Sequence, residues 1–368
     1  MKVDYLVVGA GFTGSTFARL KAEEGHKVRV IDKRSHIGGN AHDQYCTSAE
    51  LTVHSYGPHL FHTNSDRVFE WLSRFTSWRK YEHRVVADMG EKYPLVPIPF
   101  NFRSIELCFN EREASMYKYS LSNMSTRIDQ RFTLGQLLKS STYNIQDLAV
   151  FIREHVFTHY TQKMWGLTLE ELGPTVADRV PIIAGYDDRY FDDKHQALPS
   201  AGYTKMFEHM LDHPNIEHVT GVEYEHGSEG DARMLYTGPI DEYFGRSVGA
   251  LPYRGLKFNF GHGTRLPDLG GAGTLNYTSD ETVNTRSTSM RVLNQKIGGT
   301  DIVVTETPTD DTQYYPYSHE EAKSLYREYE RAAEMIVRRV KFAGRLGSYQ
   351  YLNMDQAVAQ AMKAAKEF

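Results

Sequence analysis

Three glycines near the N-terminus have the spacing of a phosphate-binding turn, Gly9-x-Gly11-x-x-Gly14. In such a turn the first glycine makes a tight bend, the second lets the backbone approach a pyrophosphate, and the third lets a helix pack closely on a strand. Asp32 follows at the distance where a carboxylate accepts hydrogen bonds from ribose hydroxyls. The pattern predicts a site for the ADP part of a dinucleotide.

The neighbouring residues form the elements that such a turn needs. Val3–Val8 is an apolar run typical of a buried parallel strand, and Ser15–Glu24 has apolar residues at helical spacing up to the stop at Gly25. Val28–Ile31 is a second strand. Together they predict a βαβ unit whose helix directs its unpaired N–H groups at the phosphates.

A second glycine pair distinguishes between FAD and NAD as the dinucleotide. Lys33-Arg34-x-x-Ile37-Gly38-Gly39-Asn40 comes directly after the acid, which is the extended pattern of FAD-binding oxidase-like and mutase-like proteins. Near the chain end, Gly344–Gly347 predicts a strand and turn that returns to the flavin. We therefore favour FAD, and NAD is the alternative.

Composition excludes several classes of protein. The 368 residues carry a formal net charge of −5, so there is no basic excess for a nucleic-acid backbone. Cys46 and Cys108 are the only cysteines, too few for a disulfide framework and without metal-type spacing. No leader pattern follows Met1, and no run reaches the about 18 apolar residues of a membrane span. We expect a cytoplasmic protein.

The order of the elements predicts an α/β fold with a discontinuous Rossmann-like FAD-binding domain, a helical insertion and an antiparallel β-sheet domain. Residues 104–180 are mostly helical in pattern, 234–307 read as short strands, and amphipathic helices follow at 320–339 and 354–366. We place the FAD-binding domain at 1–85, 195–240 and 315–368, the helical domain at 101–180, and the sheet domain at 86–100, 181–194 and 241–314.

Seven motifs, spread in order over nearly the whole chain, strongly resemble the UDP-galactopyranose mutase family. They are Gly38-Gly39-Asn40, Tyr56-Gly57-Pro58-His59-Leu60-Phe61-His62-Thr63, Tyr160-Thr161-x-Lys163-x-Trp165-Gly166, Asp187-Asp188-Arg189-Tyr190-Phe191, Gly202-Tyr203-Thr204, Tyr236-Thr237-Gly238-Pro239-Ile240-Asp241-Glu242-Tyr243-Phe244, and Gly344-Arg345-Leu346-Gly347-x-Tyr349-x-Tyr351.

The resemblance implies an isomerase that interconverts the pyranose and furanose forms of a nucleotide sugar. In that family N5 of the reduced flavin attacks the anomeric carbon and displaces the nucleotide diphosphate, and the sugar recloses from the flavin–sugar adduct with no net redox change. The resemblance also implies a reductant such as NAD(P)H, a homodimer, and galactofuranose production for cell-surface polysaccharide.

The resemblance further implies a set of substrate residues. Arg179 and Arg286 match the arginines that hold the diphosphate, a task suited to a charged bidentate fork. Tyr160 matches a ring that stacks on the base, and Trp165 is expected on a mobile loop closing over substrate. The remaining candidate substrate contacts are Thr161, Tyr190, Arg254, Asn276, Tyr314, Tyr315 and Tyr351; which of Tyr314 and Tyr315 faces the ligand stays open.

Two histidines match positions beside the flavin ring. His59 is expected to hydrogen-bond there and to stabilise the reduced flavin, with His62 as its catalytic neighbour. His59 and His62 could in principle bind a metal ion, but no third ligand stands nearby in the sequence, so we expect no metal. The resemblance and the glycine motifs together give the candidate cofactor residues Gly9, Gly11, Phe12, Gly14, Asp32, Lys33, Gly39, Asn40, His59, Leu60, Arg345, Met354, Asp355, Gln356, Ala357, Val358 and Ala359.

Four positions depart from the family pattern, and the first three bear on the substrate. Asn353 replaces an Asp, Glu82 an Asn, Ser287–Ser289 an apolar pair with Glu, and Asp32 the commoner Glu. The first three belong to motifs expected around the ligand. UDP-galactopyranose is the favoured substrate, and UDP-GalNAc, UDP-arabinose, dTDP-fucose or a GDP sugar are alternatives. An FAD-dependent amine oxidase-like enzyme and a binding-only flavoprotein are the other classes considered.

Overall fold

The computed structural model describes residues 3–172, Asp178 and residues 180–368. Its internal contacts divide the chain into two compact units. Unit 1 consists of Met1–Tyr81, Asp193–Gly255 and Asp310–Phe368, and unit 2 consists of Glu82–Asp192 and Leu256–Thr309. The chain thus leaves unit 1 twice and returns to it twice.

The strands, in chain order, are β1 (Tyr5–Val8), β2 (Val28–Asp32), β3 (Asp43–Cys46), β4 (Leu51–His54), β5 (Phe61–Thr63), β6 (Trp78–Lys80), β7 (Val85–Asp88), β8 (Val96–Ile98), β9 (Gln130–Phe132), β10 (Ile182–Ala184), β11 (His195–Pro199), β12 (Ile216–Thr220), β13 (Arg233–Tyr236), β14 (Tyr253–His262), β15 (Thr274–Tyr277), β16 (Arg286–Ser289), β17 (Ile302–Thr309), β18 (Tyr315–Pro316) and β19 (Val340–Phe342).

The helices are α1 (Phe12–Glu23), α2 (Asp66–Leu72), α3 (Phe102–Cys108), α4 (Glu111–Met124), α5 (Leu134–Leu138), α6 (Tyr143–Ile152), α7 (His159–Trp165), α8 (Leu169–Leu172), α9 (Tyr203–Leu211), α10 (Ile240–Tyr243), α11 (Met290–Leu293), α12 (Glu320–Glu334), α13 (Gly344–Gly347) and α14 (Met354–Glu367). A π-helical stretch, Arg153–Thr158, joins α6 to α7, and Gly39–Ala41 forms a 3₁₀ turn.

Unit 1 is built on a five-stranded parallel sheet in the order β12-β2-β1-β13-β19. Its central strand β1 is apolar because both faces of such a sheet are covered, and Val7 is fully buried. Helix α1 packs against α9 and α14. Smaller antiparallel pieces add the hairpin β3-β4 and the sheet β5-β11-β6. The predicted βαβ unit is confirmed, with its helix starting at Phe12 rather than Ser15.

Unit 2 combines a sheet with a helical core. Strands β17, β16, β15, β7 and β8 are neighbours in that order. The β15–β7 pair is parallel, and the pairs β17–β16, β16–β15 and β7–β8 are antiparallel. Helices α3 to α6 bury a second apolar core that includes Ile105, Leu121, Ile145 and Ile152. Within α6 the buried residues Ile145, Leu148, Ala149 and Ile152 recur at helical spacing, which is why this segment forms a helix instead of a strand.

The α/β fold class with a Rossmann-like domain and antiparallel sheets is confirmed. The three-domain division stays a prediction, since the contacts give two units and place residues 241–255 in unit 1. One local expectation was wrong: residues 160–165 are not a loop but part of α7, which ends because Gly166 adopts a left-handed conformation with φ of +67°. Trp165 is buried at the end of this helix.

None of the helices in the described part of the chain has the length and apolar character of a membrane span.

Candidate active site

A cavity of about 930 Å³ lies in unit 1 at the carboxyl ends of β1, β2 and β13, and every residue of its wall belongs to that unit. This edge of a parallel sheet is where ligands bind in open α/β folds. The wall brings together many of the predicted cofactor residues: Gly9, Gly11, Phe12, Gly14, Asp32, Lys33, Gly39, Asn40, His59, Arg345, Met354 and Ala357.

The three positions of the turn are glycine for different structural reasons. Gly9 has φ of +105°, and a Cβ there would lie 2.0 Å from the Thr237 Oγ1. A Cβ on Gly14 would lie 1.8 Å from the Gly9 carbonyl oxygen. At Gly11, however, the nearest atom to such a Cβ is the Gly39 Cα at 3.7 Å, an ordinary contact. The protein itself excludes side chains at the first and third glycines, whereas the second keeps open the space that a pyrophosphate needs.

Asp32, at the end of β2, is part of the cavity wall. Its Oδ2 accepts a hydrogen bond from the Ala10 N–H at 2.8 Å, and its Oδ1 accepts one from the Arg34 N–H at 2.9 Å. An ionised carboxylate has about four acceptor sites, so each oxygen retains capacity for a ribose hydroxyl. The cradle of glycines and this anchored acid fit the ADP part of FAD.

Arg345 is fixed at the cavity wall by backbone and aromatic contacts. Its guanidinium donates to the Leu352 carbonyl at 2.7 Å and to the Tyr314 carbonyl at 3.3 Å. The same group lies 4.9 Å from the Tyr315 ring centroid and 5.2 Å from that of Tyr351, and the two rings stack with centroids 5.0 Å apart. Tyr314 lines the cavity, while Tyr315 is held in this stack.

The start of α14 contributes fewer wall residues than predicted. The Asn353 N–H donates to the Gln356 Oε1 at 2.8 Å, so Gln356 is engaged in capping the helix. Asp355 accepts from the Thr63 hydroxyl at 2.9 Å, and Val358 is fully buried. Among the residues that the structure describes, five predicted cofactor residues are therefore not part of the cavity wall: Leu60, Asp355, Gln356, Val358 and Ala359.

The backbone of His59 is held on both sides by residues that sequence reasoning missed. Its N–H donates to the His54 Nδ1 at 2.9 Å, and its carbonyl accepts from the Tyr203 hydroxyl at 3.1 Å. Burial, and then the charge of Arg79, lower the pKa of His54 to about 4, so its ring is a neutral acceptor. The His59 Nδ1 donates to the Gly57 carbonyl at 2.9 Å, and in a histidine ring with its single proton on Nδ1 the acceptor nitrogen is Nε2.

His62 has a different setting from His59. Its Nδ1 is 2.8 Å from the Asp193 Oδ2 in a mostly buried pair, and among the described residues it is not part of the cavity wall. Arg254, also in unit 1, pairs with Asp310 at 2.5 Å. Within the described ranges, no group of three or more His, Cys, Asp or Glu side chains is arranged to hold a metal ion.

In unit 2, Arg286 is anchored by a buried carboxylate. Asn276, Arg286 and Glu306 are directly opposite one another on β15, β16 and β17, so their side chains share one face. The Arg286 Nε lies 2.8 Å from the Glu306 Oε2, and Glu306 is 1% exposed. Glu306 was not predicted, because its partner lies on another strand. Arg179 lies outside the described residues.

The other predicted residues of unit 2 occupy several local settings. Tyr160, Thr161 and Trp165 are on α7, with Thr161 and Trp165 buried. The Tyr190 ring packs edge-on against His83, and Glu82 lies 3.8 Å from the Arg84 guanidinium. The three hydroxyls of Ser287–Ser289 bond inside the sheet to Tyr277, Thr305, Thr274 and Asp301. These hydroxyls therefore make a polar ladder between strands.

Because two histidines are buried and neutral, we expect the folding stability to decrease as the pH falls. Burial and the neighbouring Arg286 lower the pKa of His83 to about 3, and that of His54 is about 4, against a usual 6.5. Below pH 6.5 the unfolded chain takes up protons that the folded chain does not, so stability is fully present above that pH and is lost as pH falls toward 4. The loss is about 3 kcal/mol for His54 alone.

Thermal unfolding between about pH 7.5 and pH 5 measures this loss. We expect the melting temperature to fall as the pH drops below about 6.5, and His54→Asn to show a shallower fall because one titrating group is gone. An unchanged melting temperature over this range would contradict the neutral, buried state of both rings.

Comparison with known proteins identifies the family of this chain. The sequence profile described as "UDP-galactopyranose mutase" matches residues 155–351, more than half of the chain, and that of an NAD(P)-binding Rossmann-like domain matches residues 7–75. A probable UDP-galactopyranose mutase of Klebsiella pneumoniae is 32% identical over 99% of this chain and 94% of its own. The dTDP-fucopyranose mutase of Escherichia coli is 31% identical over 98% and 97%.

Solved structures share the fold. A reduced UDP-galactopyranose mutase superimposes with a TM-score of 0.72 at 15% identity, covering 100% of this chain and 94% of that one. Putrescine oxidase with bound putrescine gives a TM-score of 0.52 at 14% identity over 100% and 99%. The expected family, isomerase class and FAD cofactor are confirmed. The chain belongs to the UDP-galactopyranose mutase family, whose members are FAD-dependent isomerases.

Proposed function

We propose that this protein converts UDP-galactopyranose to UDP-galactofuranose and back. The observation that carries the proposal is Arg286, a guanidinium that the buried Glu306 anchors on a sheet face in a chain that also holds an FAD cradle. A fixed arginine fork suits a diphosphate, which is the leaving group of this reaction. An amine oxidase has no leaving diphosphate, so its shared fold does not explain this arginine.

When bound in reduced form, FAD supplies a nitrogen nucleophile to the anomeric carbon without net redox change. The chain's own residues prepare the site for it. Asp32 and the glycine turn hold the ADP part, and Arg345 and the start of α14 hold the ring end. The His59 Nε2, oriented by the Gly57 carbonyl, accepts a hydrogen bond near the ring. Arg286 and Arg179 bind the diphosphate in both sugar forms.

A second substrate, a dTDP-linked deoxy sugar, is favoured by one observation. The Escherichia coli dTDP-fucopyranose mutase is almost as similar to this chain as the first relative above. The hydroxyls of Ser287–Ser289 bond inside the sheet, so Asn353 and Glu82 are the departures that bear most directly on substrate choice. Asn353 removes a negative charge from the start of α14, beside the cavity.

A panel of nucleotide sugars tests the function. With the flavin reduced by dithionite, we expect furanose product from UDP-galactopyranose, measured by chromatography, and none from the oxidised protein. The panel also contains UDP-GalNAc, UDP-arabinose, dTDP-fucose and a GDP sugar. If dTDP-fucose alone gave furanose product, the substrate would be dTDP-fucose and not UDP-galactopyranose. No furanose from any sugar, with oxidation of an amine instead, would overturn the mutase proposal.

We further propose that NAD(P)H or a similar donor reduces the flavin in the cell, that the protein acts in the cytoplasm as a homodimer, and that the helical segment 101–180 forms a separate domain. The family resemblance supports these proposals. Light scattering measures the dimer, and stopped-flow reduction under anaerobic conditions measures the rate with NADPH and NADH.

A further inference from the structure

The ammonium group of Lys163 is surrounded by backbone carbonyls. Its Nζ donates to the carbonyl oxygens of four residues of one segment, residues 277–284: Tyr277 at 2.8 Å, Ser279 at 2.7 Å, Thr282 at 3.0 Å and Asn284 at 3.1 Å. An ammonium has three hydrogens, so at least one is shared between two carbonyls. This segment, which we call the carbonyl loop, joins β15 to β16.

The position of this ammonium requires a positive charge. Four carbonyl dipoles converge on one point, where a neutral apolar group would leave them without their donor. Burial lowers the pKa of Lys163, and the negative charges of Asp280 and Asp88 oppose that shift. The cation therefore compensates the partial negative charges of the four carbonyls and the full charges of Asp280, on the carbonyl loop, and Asp88, on β7.

Three elements that carry predicted substrate residues meet through this side chain. Lys163 is on α7, between Tyr160 and Trp165. The carbonyl loop begins at Tyr277, the residue after Asn276 on β15. It ends at Asn284, two residues before Arg286 opens β16. One ammonium thus connects the helix of the predicted base-stacking ring to the strands that carry Asn276, a predicted substrate contact, and Arg286, a predicted diphosphate contact, all within unit 2.

We propose that Lys163 is a positioning residue for nucleotide binding. Its ammonium holds the carbonyl loop so that Asn276 and Arg286 keep a fixed place relative to α7. This inference rests on the proposed function, because it assumes that these residues bind a nucleotide diphosphate. A lysine that served only the stability of the fold would not alter nucleotide affinity in protein that is still folded.

Lys163→Met tests this, because it keeps the length of the side chain and removes the charge. Lys296→Met, an exposed lysine of the same unit, is the matched control. Binding of UDP and dTDP to the oxidised FAD-loaded protein is measured by calorimetry, and hydrogen exchange is measured in the carbonyl loop. We expect Lys163→Met to weaken nucleotide binding about tenfold or more, the loss of several hydrogen bonds from a charged donor. Exchange should accelerate in the loop, and flavin content should not change.

A second variant serves if the methionine does not fold. Lys163→Ala leaves room for propylammonium, which carries the missing atoms, and its addition should restore nucleotide affinity, whereas tetramethylammonium, which has no N–H donor, should not. Equal affinity of wild type and Lys163→Met, or faster exchange without weaker binding, would overturn the inference alone. If the wild-type protein binds neither UDP nor dTDP, both the inference and the proposed function fail.

Discussion

Alanine in place of Gly11 is expected to give a folded protein without bound FAD. Gly11 has φ of −82°, which any residue adopts, and a Cβ there meets no atom closer than 3.7 Å. The methyl group instead occupies the space between the Gly11 and Gly39 backbones, where the pyrophosphate must approach. We expect the FAD dissociation constant to rise about 100-fold or more, since several backbone hydrogen bonds to a charged group are lost.

The ratio of flavin absorbance to protein concentration measures this occupancy, and circular dichroism measures the fold. Gly14→Ala is the matched control within the same turn. Its Cβ would lie 1.8 Å from the Gly9 carbonyl oxygen, so we expect loss of folded protein and not only loss of cofactor. A Gly11→Ala protein that is purified yellow and fully occupied would show that FAD does not use this cradle.

Arg286→Ala is expected to abolish turnover while FAD stays bound. Removing a fixed donor to a developing negative charge costs about 100- to 1,000-fold in rate, and here the whole charged fork is removed. FAD content should not change, because every wall residue of the cofactor cavity belongs to unit 1 and Arg286 belongs to unit 2. Turnover of reduced protein and flavin content measure the two effects.

The alanine variant also leaves the buried Glu306 without its partner, which costs about 3–5 kcal/mol of stability for a pair of this kind. Arg286→Lys separates the two effects, because it retains the charge beside Glu306 but has no bidentate fork. We expect this variant to be stable and still severely impaired. Full activity in Arg286→Lys would contradict the diphosphate role, and loss of FAD from Arg286→Ala would show that the residue serves the cofactor.

Local patterns were sufficient to predict the strands and the glycine turn at the cavity wall. The spacing of Gly9, Gly11 and Gly14 specifies a turn within six residues, and the apolar runs before and after it specify the strands β1 and β2. The place of Asp32 can also be predicted, because the lengths of α1 and β2 leave little freedom in where β2 ends. Contacts of this kind depend on neighbours along the chain, so the sequence is sufficient to predict them.

The helix α7 shows where local reasoning failed. Thr161, Gln162 and Lys163 are polar and Gly166 is next to them, a composition that favours a loop. Tertiary contacts favour a helix instead, because Thr161 and Trp165 are buried and the Lys163 ammonium is bound by carbonyls more than 100 residues further along the chain. Gly166 comes directly after Trp165 and ends the helix there.

By itself, the sequence determined the family, the FAD cofactor and the turn that holds it, because these depend on short motifs whose spacing is read along the chain. Only the tertiary structure decided which partners orient the reactive side chains. His54 and Tyr203 hold the backbone of His59, Glu306 anchors Arg286, and the carbonyl loop surrounds Lys163. Several of these partners lie on different strands or helices and far apart in sequence, so only chain folding brings them within hydrogen-bonding distance.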